Sequence, residues 1–179
     1  LNNAINSAYL IKPETETGLG FFTDEFGVVW NRRGLDNDIG NVHAFLIEDY
    51  ASLDRYQFPP VDEAYIRARM QALMDTAGDR FRVAAIGFSL FERAWTLRGM
   101  EDLLSDMVVE PGFVHDLLGR ITERNLCIIR IALQYDIDCF HFGDDWGQQK
   151  ELIMGPHHWR RFIKPCLEKM YSAVRNAGK

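Results

Sequence analysis

Arg82-Val83-Ala84-Ala85-Ile86-Gly87-Phe88 and, past a long helical stretch, Asp138-Cys139-Phe140-His141-Phe142 decide how this chain folds. The first is a short, nearly continuous apolar run, the pattern of a parallel strand buried on both faces. Between the two, a helix is expected from about Met100 to Val109. Pro111 then stands where a first helical turn tolerates it, opening a long helix to about Tyr135. Val114, Leu118, Ile121, Ile128, Ile129 and Ala132 form one apolar stripe of that helix. Arg120, Glu123, Arg124, Arg130 and Gln134 occupy its opposite, solvated side. After the second strand, Pro156 opens another helical stretch, which Pro165 kinks or divides and Asn176-Ala177-Gly178 closes. Strand, helices, strand, helix is the order of right-handed parallel crossovers. Two parallel strands cannot close a sheet, and a complete eight-fold barrel takes ~250 residues. The chain therefore reads as the middle portion of a longer α/β protein.

Upstream, residues 1–60 read as irregular structure around one hairpin, and residues 61–179 as the regular helices and strands. Gly20-Phe21-Phe22-Thr23 and Val28-Val29-Trp30-Asn31 are β-prone runs about Asp24-Glu25-Phe26-Gly27, with Gly27 supplying the turn. Arg33 to Asp38 reads as a polar loop. Pro59-Pro60 leads into a helix of about Val61 to Ala77, in which Ile66, Met70, Leu73 and Ala77 recur at helical spacing and Gly78 caps the end.

The 179 residues are 47% hydrophobic and 26% charged, an ordinary globular balance. No apolar run approaches the roughly 18 residues of a membrane span, and the amino end lacks the features of a signal peptide. A net charge of −6 makes nucleic acid and anionic membranes poor partners. Cys127, Cys139 and Cys166 are odd in number and form no CxxC pair, so a reducing cytoplasm is expected. All three are unpaired thiols on this reading, with Cys127 and Cys139 as small core residues and His141 as an interior strand residue. No zinc signature, Walker loop, GxGxxG fingerprint or GxSxG elbow is present. His157 and His158 adjoin on a helix and cannot chelate one metal together.

In parallel α/β folds working residues gather on loops at the carboxyl ends of strands. The first such loop, Phe88 to Gly99, holds Phe88, Ser89, Glu92, Arg93, Trp95 and Arg98. Arg98 or Arg93 could clamp a carboxylate and Trp95 could form an apolar wall. A solvated Glu92–Arg93 pair under rim aromatics is the plainer reading. The second loop is Asp144-Asp145-Trp146-Gly147-Gln148. Two buried carboxylates together raise one pKa and make that group a proton donor. Helix capping is the plainer use of Asp, but the next helix start lies near Gly155-Pro156, well past the pair.

Gly87-Phe88 followed by Ala94-Trp95-Thr96-Leu97 resembles the uroporphyrinogen decarboxylase superfamily. Phe142-Gly143-Asp144-Asp145-Trp146-Gly147, the later Pro156, Trp159, Phe162 and Pro165, and the early Asp24-Glu25-Phe26-Gly27-Val28-Val29-Trp30 are similar to its methyltransferase-type branch. The resemblance implies a TIM (β/α)8 barrel that this chain covers only in part, as a portion of a single barrel domain. Met100 stands where the decarboxylases carry a substrate-contacting tyrosine, and Asp144 where they carry a serine. Two extra residues separate Phe88 from Trp95. The decarboxylases' arginine-rich motif and early catalytic aspartate have no visible counterpart.

By resemblance the chain is expected to come from a corrinoid-dependent methyltransferase that moves a methyl group between methylcobalamin and a thiol or related acceptor. Asp144, Asp145 and Glu92 are its expected catalytic residues. Phe88, Ser89, Trp95, Arg98, Trp146 and Gln148 are its expected substrate contacts. A tetrapyrrole or corrinoid, free or on a corrinoid protein, is the expected partner, and a homodimer a further one. The methyltransferase members bind zinc through His-x-Cys and a distant Cys, and the first pair falls on the strand expected just after Lys179, so the resemblance allows zinc through ligands beyond Lys179 and none is named here. The alternatives are uroporphyrinogen decarboxylation, which needs no metal or cofactor, and a non-catalytic corrinoid or tetrapyrrole carrier. Uncovered apolar patches are expected on the long helix and the two strands.

Overall fold

The computed structural model describes residues 4–33 and 40–179. The polar loop read over Arg33 to Asp38 lies, past Arg33, outside the described residues.

The two strands named above are parallel, and among the described residues a third pairs with them. β1 (Ile5–Tyr9), β6 (Phe81–Ile86) and β7 (Cys139–Phe142) pair in the order β1-β6-β7. The central strand is sealed, with Ala84, Ala85 and Ile86 buried. β1 escaped the sequence reading because Ile5-Asn6-Ser7-Ala8-Tyr9 has no apolar run: of the five, only Ala8 is buried. It forms nonetheless because β6 supplies a full ladder, from Ile5 opposite Phe81 to Tyr9 opposite Ala85. His141, read as interior, is exposed. It shares a row with Tyr9 and Ala85, and Phe140 on the other face packs with the core.

Helices pack around this sheet. α2 (Glu63–Ala77) lies on β1 and β6 and buries Ile66, Met70, Leu73 and Ala77, ending at Gly78 with φ 55°. α4 (Met100–Val109) and the long α5 (Pro111–Ala132) follow, with α5 packed against α2, α4 and α7 (Lys164–Asn176). All six stripe residues of α5 are buried, and the valine, leucine and isoleucine side chains among them stabilise the fold by about 1.5–3 kcal/mol each. Arg124 breaks the expected pattern. It is buried, bonded to Glu25 at 2.7 Å and to the Pro59 carbonyl at 3.0 Å, because the early segment folds over that side of α5. α6 (Gly155–His158) runs into a π-helical turn (Trp159–Ile163) before α7. Pro165 has no N–H for the usual carbonyl, so the chain divides where its position foretold.

The early region is more ordered than its sequence implied. β2 (Thr15–Gly18), β3 (Phe21–Thr23), β4 (Val29–Asn31) and β5 (Asn41–Ala44) form an antiparallel sheet in that order. The expected hairpin is β3–β4, with Gly27 at φ 84°. Its turn is tied by Asp24, whose Oδ1 accepts from the N–H groups of Phe26 and Val28. A short helix, α1 (Tyr50–Arg55), is capped by Asp49.

Three further expectations are corrected. The segment read as the first strand-end loop is mostly helix: α3 (Phe91–Arg98). All three cysteines are free but half-buried, so Cys127 and Cys139 are not core residues. Among the described residues none of the large exposed apolar side chains lies on α5; on the strands they are Ile5, Tyr9 and Phe81. No helix of the described residues is long and apolar enough to cross a membrane.

Candidate active site

β6 and β7 end side by side, each followed by a glycine, Gly87 and Gly143. A Cβ on Gly143 would meet the Gly87 Cα at 3.4 Å. The Gly143 carbonyl accepts the Ser89 N–H at 2.8 Å, which ties the β6–α3 turn to the tip of β7. Phe88 in that turn sits at φ 48°, left-handed backbone that a non-glycine side chain seldom adopts.

α3 begins here with no cap of its own, since its N-cap residue is Leu90. Asp144 supplies the cap from the neighbouring strand. Its carboxylate accepts from the N–H groups of Leu90 (3.3 Å), Phe91 (3.0 Å) and Glu92 (2.8 Å), and from the Trp146 indole. Capping is thus the role the structure assigns to Asp144, on a helix that precedes it by more than fifty residues. Burial pushes its carboxyl up, while these donors, Trp146 first, hold it down.

The effect on Glu92 is larger. Its half-buried side chain lies in the first turn of α3, beside Asp144 and Asp145. Burial first, and then the charges of Asp144 and Asp145, raise its pKa from 4.5 to about 7. A member of the Asp pair is raised, as expected: burial lifts the Asp144 carboxyl above its ordinary value, and Glu92 beside it is raised as well. Asp145 itself is exposed.

Phe88 and Trp95 meet Trp30 of the hairpin in an edge-on group, with centroids 5.6 and 6.4 Å from Trp30. Trp146 leans on Trp159 at 5.9 Å. Glu92, Asp144, Asp145, Trp146, Phe88 and Trp95 therefore gather about the start of α3. The other expected contacts do not. Ser89 is fully buried, its carbonyl held by the Asn125 amide and its hydroxyl without a partner. Arg98, at the far end of α3, is buried on Asp106 at 2.9 Å and on the Glu48 carbonyl at 2.6 Å, so it is committed to the core. Arg93 is spent in the same way, on Asp24 at 2.5 Å. Gln148 sits in an exposed loop.

Sequence reasoning missed Trp30, Asp24 and Asn125. The first two stand in a segment singled out for its hairpin, but nothing local shows that it reaches α3. Asn125 had one signal, a polar residue beside the apolar stripe of α5.

A parallel sheet whose strand tips carry acids and rings, with glycines where the strands meet, belongs to a definite class. Residues 36–179 match the family model for uroporphyrinogen decarboxylase (URO-D), and the chain belongs to that family. Its fold is accordingly part of a TIM barrel. A curated relative, the uroporphyrinogen decarboxylase of Nocardia farcinica (strain IFM 10152), is 26% identical over 72 residues, 40% of this chain. That match spans 19% of the relative's length. No solved structure matches significantly.

Proposed function

We propose that this chain is part of a URO-D superfamily methyltransferase that moves a methyl group from methylcobalamin to a thiol or related acceptor. The observation that carries the proposal is Glu92, a half-buried carboxyl raised to about 7 in a cluster of acids. Its ionised form is a base matched to neutral pH. Its position at a strand-tip helix start is where barrel enzymes work. Methyl transfer to a thiol releases a proton, and the Glu92 carboxylate takes it. The new bond is sulfur to methyl. The bond broken is cobalt to methyl, whose electron pair stays with the corrinoid co-substrate. Asp144 holds Glu92 in place through the α3 backbone, and Trp95, Phe88 and Trp146 wall the approach. Among the described residues no three His, Cys, Asp or Glu side chains could hold a metal. The three free cysteines support a cytoplasmic setting for the same enzyme.

Charge among the described residues supports this reading over decarboxylation. A uroporphyrinogen carries many carboxylates and needs cations to hold them. Arg93, Arg98 and Lys12 are paired with Asp24, Asp106 and Asp62, while Glu92, Asp144 and Asp145 make the mouth acidic. The second reading, uroporphyrinogen decarboxylation, is favoured by the name of the Nocardia relative.

The test is full-length protein incubated with methylcobalamin and a thiol. The expected result is loss of methylcobalamin and formation of the methyl thioether, with Glu92→Gln slowing kcat by about 10²–10⁴. Release of carbon dioxide from uroporphyrinogen without methyl transfer overturns the proposal.

A further inference from the structure

Charge is unevenly spread along this chain. Residues 155–179, which form α6, the π-helical turn and α7, hold six of its 20 basic side chains and one of its 26 acids. That segment is net +5 in a chain of net charge −6, which leaves −11 on residues 1–154. The six are Arg160, Arg161, Lys164, Lys169, Arg175 and Lys179, and all are exposed residues. Their placement follows from what the segment buries. Phe162 and Ile163 of the turn and Leu167, Met170 and Val174 of α7 face the core, which turns the arginines and lysines outward. Lys164 and Lys179 have acidic partners, Glu168 and Asp136, each at 3.4 Å. Arg160, Arg161, Lys169 and Arg175 form no ion pair among the described residues. From Arg160 to Arg175 the helical path rises about 22 Å. Ordinary soluble surfaces intersperse the two signs, and a field of one sign against an opposite net charge steers association.

We propose that this outer face docks a compact acidic surface of another protein. The kind of partner follows from the charges. A nucleic-acid duplex or an anionic bilayer reaches past the segment, and its further charges would come within a Debye length, about 8 Å, of the acidic remainder. An acidic helix of matching length covers Arg160, Arg161, Lys169 and Arg175 alone. The planar guanidiniums of Arg160, Arg161 and Arg175 suit carboxylates, which they hold through paired N–H donors. No acid of the Glu92 cluster takes part, so the docking stands or falls apart from the methyl-transfer reading.

The experiment titrates full-length protein into three fluorescent probes. They are a helical peptide with about six glutamates on one face, a DNA duplex of about 30 base pairs, and phosphatidylserine vesicles. The peptide is expected to bind more tightly than either other probe, and to weaken about tenfold when salt rises from about 50 to about 300 mM. Arg160→Glu with Lys169→Glu reverses two exposed charges and is expected to weaken the peptide at least tenfold, by about the effect of like charges meeting at an interface. Arg160→Gln with Lys169→Gln, which only removes the charges, is expected to weaken it severalfold. Arg69→Glu makes the same reversal at an exposed position of α2 and is expected to leave the affinity unchanged. Thermal unfolding of every variant is expected to match wild type, since these residues are exposed and outside any ion pair. No peptide binding at millimolar protein, an equal loss in Arg69→Glu, or tighter binding of the duplex or the vesicles overturns the proposal.

Discussion

The Asp144 carboxylate accepts the backbone N–H of Glu92 at 2.8 Å, so an acid at the tip of β7 caps the helix that follows β6. This contact joins two crossover units of the barrel and sets the surroundings of the acid most displaced toward neutrality. Asp144→Ala removes an acceptor for three helix-start N–H groups and is expected to cost about 1–3 kcal/mol. Asp144→Asn keeps an acceptor oxygen and should lose about half as much. Urea unfolding of the two variants checks this, and equal losses would show that the cap does not stabilise the protein.

Glu92 makes stability depend on pH. Its folded pKa, about 7, lies above its ordinary 4.5, so the folded state holds the proton more tightly than the unfolded state. The stabilisation is complete below 4.5 and disappears as pH rises through about 7. Wild type should therefore lose stability relative to Glu92→Gln across that window. Melting temperatures of both proteins from pH 4 to pH 8 give the comparison. Parallel curves would place the Glu92 pKa back in the ordinary range.

Arg93 and Asp24 form a buried pair that fastens the hairpin to α3. Replacing either partner alone leaves an uncompensated buried charge, and Arg93→Met is expected to cost about 3–5 kcal/mol. Arg93→Met with Asp24→Leu should recover part of that loss. Recovery stays incomplete, because Asp24 also holds the Phe26 and Val28 N–H groups. A double-mutant cycle in denaturant measures the coupling.

Phe88 tests the strained turn. At φ 48°, Phe88→Val places a β-branched side chain where the backbone least tolerates one, while Asn accepts that conformation readily. Phe88→Val should therefore be less stable than Phe88→Asn by about 1 kcal/mol, although valine is the more apolar residue. The reverse order in thermal unfolding would mean that the turn relaxes.

The sequence by itself determined what depends on neighbours in the chain. Apolar spacing placed α2, α4 and α5, proline placed the break before α7, and the hairpin followed from β-prone runs about Gly27. β6 was legible because a strand buried inside a parallel sheet leaves an apolar run; β7, at the edge of the described sheet, shows only a short β-prone run. Tertiary structure alone decided the rest. β1 is polar and gains its ladder from β6; α3 is charged and gains its cap from Asp144; Arg93, Arg98 and Arg124 look solvated and gain buried partners. The two carboxylates picked out beside Trp146 were in the right place, but which acid titrates near neutrality was set by how two strand ends meet. Side-chain periodicity is a local property of the backbone. The partner that satisfies a buried charge or an uncapped helix comes from another part of the chain, and only folding brings it near.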